Sequence, residues 1–308
     1  MRLLVAGLHV LIALSMAIVM PGLVNRTKSL WAGRRGPRVT QSGWDLLRLL
    51  AKQPVYSLVS TPLFRAGAWV VLASSLLASL IAPILGAAAP LQFSHDFILF
   101  AYSLGLARLF VMLSAMDVGS SFEGMGAARD ASFATFIEPA LFFLIGAASI
   151  ATGQTSFAGL IGQWHLATSF QWLSVPAVVV LFVLLQAEAS RLPVDDPATH
   201  LELTMVHEVM ILDHSGPELA ALQYASALKM TTYAGLIAAL VSPFDPGVNP
   251  LACVLFSLAT IAGVAVVVGC IESLFARIRL RWVPGYLMLA SVVAAGCLSA
   301  AGWLWRTP

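Results

Sequence analysis

Residues 251–274 read LACVLFSLATIAGVAVVVGCIESL, and this stretch indicates the class of fold. It contains 24 residues and a single charged side chain, Glu272. At 1.5 Å per residue, a helix of this length is about 36 Å long, which exceeds the roughly 30 Å hydrocarbon core of a bilayer. The stretch therefore predicts a transmembrane helix.

Apolar stretches of similar length recur along the 308 residues. The chain is 59% hydrophobic and only 10% charged, whereas an ordinary soluble domain is about 25% charged. A large soluble helical core is excluded because too little polar surface would face water. The sequence predicts an all-α polytopic membrane protein with a single membrane domain over residues 1–308. The eight predicted spans are Leu3–Leu23, Ala66–Ala88, Asp96–Leu113, Ser132–Ala151, Gln171–Ala189, Ala225–Val241, Leu251–Leu274 and Trp282–Trp305.

Lysine and arginine residues are concentrated in alternate loops between these spans. Of the 17, 14 fall in the first, third, fifth and seventh loops, with Arg129 in the third and with Arg191 and Lys229 in the fifth. Cytoplasmic loops of membrane proteins carry an excess of basic residues. We therefore expect the odd-numbered loops in the cytoplasm, both termini outside, and a location in the cytoplasmic membrane.

The fifth loop, about residues 190–225, collects ionisable groups. Residues 191–219 read RLPVDDPATHLELTMVHEVMILDHSGPEL, and residues 198–212 predict a helix with apolar groups all round. Such a helix is normally buried, so we expect another protein to cover it. A seven-residue histidine spacing differs from the spacing of three or four that helical zinc sites use, so no metal site is predicted. The ionisable groups are Asp195, Asp196, Glu202, Glu208, Asp213, Glu218, His200, His207 and His214.

The first loop, about residues 25–65, predicts a short amphipathic helix along the membrane interface. A basic turn, GRRGPR, contains Arg34, Arg35 and Arg38, and the leucine-rich segment DLLRLLAK follows it. An apolar stripe beside charged groups is typical of interfacial helices. The basic residues have a simpler explanation, which is binding of anionic lipid headgroups.

Three carboxylates fall within the predicted spans besides Asp96, which begins the third span. Glu138 lies seven residues into the fourth span, about 10 Å deep, and ionisable groups at such depth usually face a protein interior or a wet cavity. We therefore expect Glu138 to be functional or paired and buried. For Glu188 and Glu272, near the ends of their spans, an interfacial position and a functional one both remain open.

Five motifs resemble a known family: GRRGP followed by DLLRLLAK, FEGMGAARD at 122–130, EPALF at 138–142, residues 187–220, and LKM at 228–230. The chain resembles the membrane subunit shared by respiratory complex I and the membrane-bound [NiFe]-hydrogenases, which include formate hydrogenlyase and hydrogenase-4. It is more similar to the hydrogenase branch. Val194 and Asp196 replace the Phe and Leu of the quinone-binding branch, and DHSG at 213–216 replaces its EYSG.

The resemblance implies a subunit that anchors a hydrophilic arm and links redox chemistry to proton movement. The arm would consist of large and small subunits on the cytoplasmic side, which hold the iron–sulfur clusters and a nickel–iron site, and antiporter-like subunits would be membrane neighbours. The residues then expected in proton coupling are Glu138, Glu188, Asp195, Asp196, Glu202, Glu208 and Asp213. Those expected in partner docking are Arg34, Arg35, Arg38, Arg129, Arg191, His207 and His214.

The chain shows no sequence signature of a redox centre or catalytic site of its own. Cys253, Cys270 and Cys297 are widely spaced, without the C-x-x-C pattern of iron–sulfur or nickel–iron ligands. Phosphate-binding loops and nucleophile elbows are also missing. We expect no cofactor in this chain, no activity alone and no nucleic-acid partner. Besides the hydrogenase anchor, the alternatives are the quinone-site subunit of a complex I-like NADH dehydrogenase and, less favoured for lack of internal repeats, a stand-alone ion transporter.

Overall fold

A computed structural model describes residues 2–164, 168–195, 205–244 and 248–306. Over these ranges the chain is helical without a β-strand, and eight helices are long and apolar enough to cross a membrane. The predicted all-α polytopic architecture and the number of spans are confirmed. The eight long helices are α1 Arg2–Trp31, α3 Pro62–Ile81, α4 Asp96–Asp117, α5 Ser121–Thr152, α7 Ser174–Glu188, α9 Gly216–Val241, α10 Pro250–Leu274 and α11 Val283–Arg306; the short ones are α2 Gln41–Leu50, α6 Phe157–Trp164 and α8 His207–Met210.

Several predicted helix boundaries are wrong. Helix α5 begins at Ser121 rather than Ser132, and α9 begins at Gly216 rather than Ala225. Both extensions contain charged residues, which a search for apolar runs leaves out. Helix α3 ends at Ile81 rather than Ala88 because the residue before Pro83 is forced into an extended conformation.

Several basic residues that were assigned to loops lie within helices. Arg129 belongs to α5, and Lys229 belongs to α9, where it is buried. The basic residues that remain between helices still favour the ends that were predicted to be cytoplasmic. The orientation of the bundle in the membrane stays a prediction.

The acidic loop differs most from its predicted form. Residues 198–204 of the predicted helix lie outside the described residues, and from residue 205 onward the helix is a single turn, α8. Its apolar side chains pack inside the chain rather than beneath a partner: Met205, Val209, Met210 and Ile211 are buried in a cluster with α3, α4, α5 and α9. Of the described apolar residues of this segment, Leu212 is exposed, so the expected cover by another protein is not required here.

Close helix packing depends on small residues. Helix α9 is the most buried of the eight spans and packs against α1, α3, α7 and α10. A Cβ at Gly235 of α9 would collide with Ile84, and one at Gly126 of α5 would collide with Val209 of α8. Small residues at helix contacts allow backbones to approach closely. Gly126 of FEGMGAARD thus lets the acidic loop pack closely against α5.

Candidate ion-coupling site

A buried ion network joins three helices at the centre of the bundle. The guanidinium of Arg108 on α4 pairs with Glu188 on α7, and the Nζ of Lys229 on α9 lies 3.6 Å from the other carboxylate oxygen of Glu188. The three side chains are 6%, 4% and 7% exposed. Charges inside a membrane are costly unless they are paired. We call this set, with the two α5 carboxylates described next, the central network.

Helix α5 adds two carboxylates to Arg108. Asp130 lies 3.7 Å from its Nε and Glu138 lies 3.4 Å from its Nη1. Three carboxylates therefore share two cations, which leaves one negative charge in excess when all five groups are ionised. One added proton would neutralise the central network. This excess gives the network the composition of a proton-binding site inside the membrane.

A cavity of about 70 Å³ connects the two glutamates of the central network. Arg108, Glu138, Glu188 and Tyr233 contribute to its lining. The hydroxyl of Tyr233 is fully buried and makes no hydrogen bond to a described residue. Most of its wall is apolar, but the cavity is large enough for water and offers it polar partners at Glu138, Glu188 and Tyr233. Water there would bridge Glu138, at the edge of the bundle, to Glu188 in its interior.

The acidic loop is fixed to the bundle through Asp195. Its Oδ1 lies 2.8 Å from the Nη2 of Arg277, and its Oδ2 accepts hydrogen bonds from the backbone N–H groups of Val206 and His207 at 3.1 and 2.9 Å. Arg129 donates to the carbonyl of Met205 at 2.9 Å. Asp195 is also the weakest of the four charged groups that act electrostatically on Asp130. The loop is therefore in electrostatic contact with the central network.

Glu272 is a second buried ionic centre. Its carboxylate, with no exposed side-chain surface, lies 2.9 Å from the Nζ of Lys28 on α1 and 3.5 Å from Arg191. This arrangement ties α10 to α1 and to the start of the acidic loop. Glu188 and Glu272 are both enclosed by the bundle, and the interfacial and the functional position predicted for them both stay open.

The DHSG motif closes over α3 and α5. The ring of His214 stacks on Phe64 with centroids 3.9 Å apart. The hydroxyl of Tyr56 donates to Glu218 at 2.6 Å, and the backbone N–H of Asp213 donates to Glu123 at 3.3 Å. Burial lowers the pKa of His214 to about 4, so its ring is neutral at pH 7.

The neutral His214 predicts a pH-dependent stability. Its pKa is about 6.5 in the unfolded chain and about 4 in the folded one, so the unfolded state binds more protons between these values. Stability is complete above pH 6.5 and falls as the pH drops towards 4, by less than about 3 kcal/mol, because the Glu218 carboxylate 3.5 Å from Nδ1 favours the charged ring. His214→Phe keeps the stacking on Phe64 and removes this titration. We expect the thermal midpoint of the variant to fall less than that of the unmodified protein as the pH drops from 6.5 to 4. Parallel curves of midpoint against pH for the two proteins would contradict the lowered pKa of His214.

The structure brings together part of the predicted coupling set. Glu138 and Glu188 share Arg108, and Asp195 lies close enough to influence Asp130. Glu208 is half-buried on α8 and Asp213 is exposed. Asp196 and Glu202 lie outside the described residues.

The residues predicted to dock a partner fall into two groups. Arg34, Arg35 and Arg38 are exposed. Arg129, Arg191 and His214 instead form contacts within the chain, and His207 is half-buried on α8. Docking by the exposed group stays a prediction.

Sequence reasoning did not single out Arg108, Asp130, Lys229, Tyr233 or Arg277 as parts of a site. Arg108 carried a usable signal, because it stands alone in the apolar run LGLARLFVML. A cation at that depth requires an anionic partner, and Glu138 and Glu188 were already candidates. Tyr233 carried no such signal, because a tyrosine in an apolar helix is ordinary.

Two Escherichia coli (strain K12) proteins are similar to the chain over nearly its full length. It is 27% identical to hydrogenase-4 component C, with 98% of this chain and 97% of that protein covered. It is 26% identical to formate hydrogenlyase subunit 4, with 90% and 91% covered. Both relatives favour the hydrogenase branch of the resemblance over the complex I alternative.

A solved structure has the same fold. A chain of the membrane-bound sulfane sulfur reductase (MBS), an archaeal respiratory membrane complex, matches with a TM-score of 0.80 at 20% identity, covering 97% of this chain and 99% of that one. The family model described as NADH dehydrogenase matches residues 3–298. Motifs, helix number and family model agree, and the chain belongs to the NADH dehydrogenase family, of the complex I subunit 1/H type.

Proposed function

We propose that the chain is the non-catalytic membrane anchor and proton-coupling subunit of a membrane-bound [NiFe]-hydrogenase or formate hydrogenlyase-like complex. The central network carries this proposal, because it places a surplus carboxylate among five ionisable groups inside the membrane. The two E. coli relatives, named as parts of hydrogenase-4 and formate hydrogenlyase, supply the type of complex. The iron–sulfur clusters and the nickel–iron site belong to partner subunits.

Coupling would run from the acidic loop to the central network. A redox event in the hydrophilic arm changes the charge above the loop, and Asp195 carries that change to Asp130 through the field between them. A change of charge at one carboxylate alters the proton affinity of its neighbours. The network then takes up or releases a proton, with water in the cavity beside Tyr233 as the route between Glu188 and Glu138.

Glu138 indicates where a second membrane subunit binds. Its side chain is 54% exposed in the isolated chain although it lies within a membrane-spanning helix. A carboxylate that faces lipid at this depth is costly. An antiporter-like subunit that covers α4 and α5 would supply a polar surface and continue the proton route.

The hydrophilic arm would dock on the segment after α2. Val55, Leu58 and Val59 are exposed there, outside the membrane spans. The segment is held in place because Tyr56 bonds Glu218 and the N–H of Val55 bonds Ser215 at 2.8 Å. An apolar surface in the same loop as the basic turn fits an acidic partner. This side would face the cytoplasm, with both termini outside.

Val59→Asp tests the docking of the arm. An aspartate buried against a partner is left unpaired, and burying an unpaired carboxylate costs free energy. Each 1.4 kcal/mol of that free energy lowers the affinity tenfold. We therefore expect at least roughly a tenfold loss of bound hydrophilic subunits. The measurement is subunit stoichiometry after affinity purification of the complex. Val248→Asp is the matched control, since Val248 is 73% exposed against 69% for Val59. Val248 lies in the loop between α9 and α10, which is the sixth loop. The predicted orientation places this loop on the side of the membrane opposite to the hydrophilic arm. Loss of the arm from the Val248 variant, with retention by the Val59 variant, would overturn both the docking surface and the orientation.

A further inference from the structure

An apolar groove runs between α7, α9, α10 and α11, away from the central network. Its volume is about 440 Å³, within the range of small-molecule pockets. Valines and long apolar side chains line it, among them Val179, Phe182, Val267 and Leu289. The one hydroxyl, on Tyr286, is used by a 2.7 Å hydrogen bond to Gln186. The groove therefore suits a hydrocarbon chain and offers nothing to a polar ligand.

Two arginines stand at the basic end of this groove. Arg279 and Arg281 precede α11 and are exposed, and no ion pair found among the described residues includes either of them. The guanidinium of Arg281 lies 5.5 Å from the ring centroid of Trp282, which is itself exposed. Tryptophan and arginine at a helix end are typical of the bilayer interface. Leu289 follows Arg281 by eight residues, about 12 Å along a helix.

We propose that the groove and the arginine pair form a binding site for one anionic phospholipid of the leaflet on the basic side. An acyl chain would lie in the groove, and the headgroup phosphate would bind Arg279 and Arg281. The charge and the apolarity of the site both favour a lipid. The two arginines, for which no carboxylate partner is found among the described residues, lie at the level of the headgroups, and the groove below them is lined by apolar side chains. A second membrane subunit seated on this face would instead need acidic residues at the interface.

The test uses the purified complex in nanodiscs that contain phosphatidylglycerol or phosphatidylcholine. Bound lipid is counted by native mass spectrometry after delipidation and titration with each lipid. The double variant Arg279→Gln/Arg281→Gln should bind phosphatidylglycerol roughly thirtyfold more weakly, as the loss of two surface cations predicts. Arg26→Gln/Lys52→Gln changes the net charge equally at exposed positions elsewhere on the basic side, and it should bind phosphatidylglycerol like the unmodified complex.

A second variant separates the acyl chain from the charge. Val267→Trp fills the groove, leaves both arginines in place, and should also reduce retained phosphatidylglycerol. Equal retention in the arginine variant and its control would overturn the site. A photo-crosslinker at Val267 that captures a protein subunit rather than lipid would overturn it as well. Neither readout depends on hydrogenase activity, so failure here leaves the proposed function intact.

Discussion

Arg108→Leu is expected to destabilise the folded subunit by roughly 3–5 kcal/mol, because it leaves the buried carboxylate of Glu188 with Lys229 as its remaining partner among the described residues. Arg108 is the shared partner of Glu188, Glu138 and Asp130. Its loss raises the excess of negative charge in the central network from one to two. The effect is measured as the shift in denaturation midpoint of the purified subunit in detergent.

Arg48→Leu is the control for this result. Arg48 also pairs with a carboxylate, Asp45, at 3.5 Å, but both side chains are exposed on α2. Exposed ion pairs contribute little, and we expect a change below about 0.5 kcal/mol. A similar midpoint shift in both variants would mean that Arg108 is not held in a low-dielectric network.

Glu188→Gln should have the largest effect on coupling. Glutamine keeps the shape and much of the hydrogen-bonding capacity of glutamate while removing its charge, and Arg108 retains Asp130 and Glu138 as partners. We expect the complex to assemble and proton movement to fall roughly tenfold or more, since a lost proton-transfer group costs 10²–10⁴ in rate. Glu138→Gln should act in the same direction at a smaller cost in stability, because Glu138 is half exposed.

The number of spans could be predicted because bilayer thickness sets their length. Residues 251–274 are apolar almost throughout, and α10 begins at Pro250 and ends at Leu274 as the run does. The prediction failed where a span continues past the apolar run. Residues 121–131 of α5 contain Glu123, Arg129 and Asp130, whose partners lie on other elements. A single sequence does not reveal that tertiary contacts stabilise this extension.

The site was predicted in part for a similar reason. Glu138 was identified by its depth, which depends on position along one helix, and Glu188 by what the family resemblance implies. Their partner Arg108 depends on the rotation of α4 and on which helices lie beside it, and one sequence shows neither. The acidic loop shows the opposite failure. Its apolar residues suggested a missing partner, but Val209 and Met210 are buried against α4 and α5 of the same chain.

Protons moved per turnover of the partner hydrogenase, measured in vesicles that hold the Glu188→Gln complex, test the coupling role of the central network most directly. Subunit stoichiometry and hydrogenase turnover are measured in the same preparation, so that failed assembly is separated from failed coupling. The proposed mechanism predicts normal stoichiometry with a proton-to-turnover ratio roughly tenfold below that of the unmodified complex. An unchanged ratio in Glu188→Gln and in Glu138→Gln, with normal assembly, would contradict it and leave the central network with a structural role.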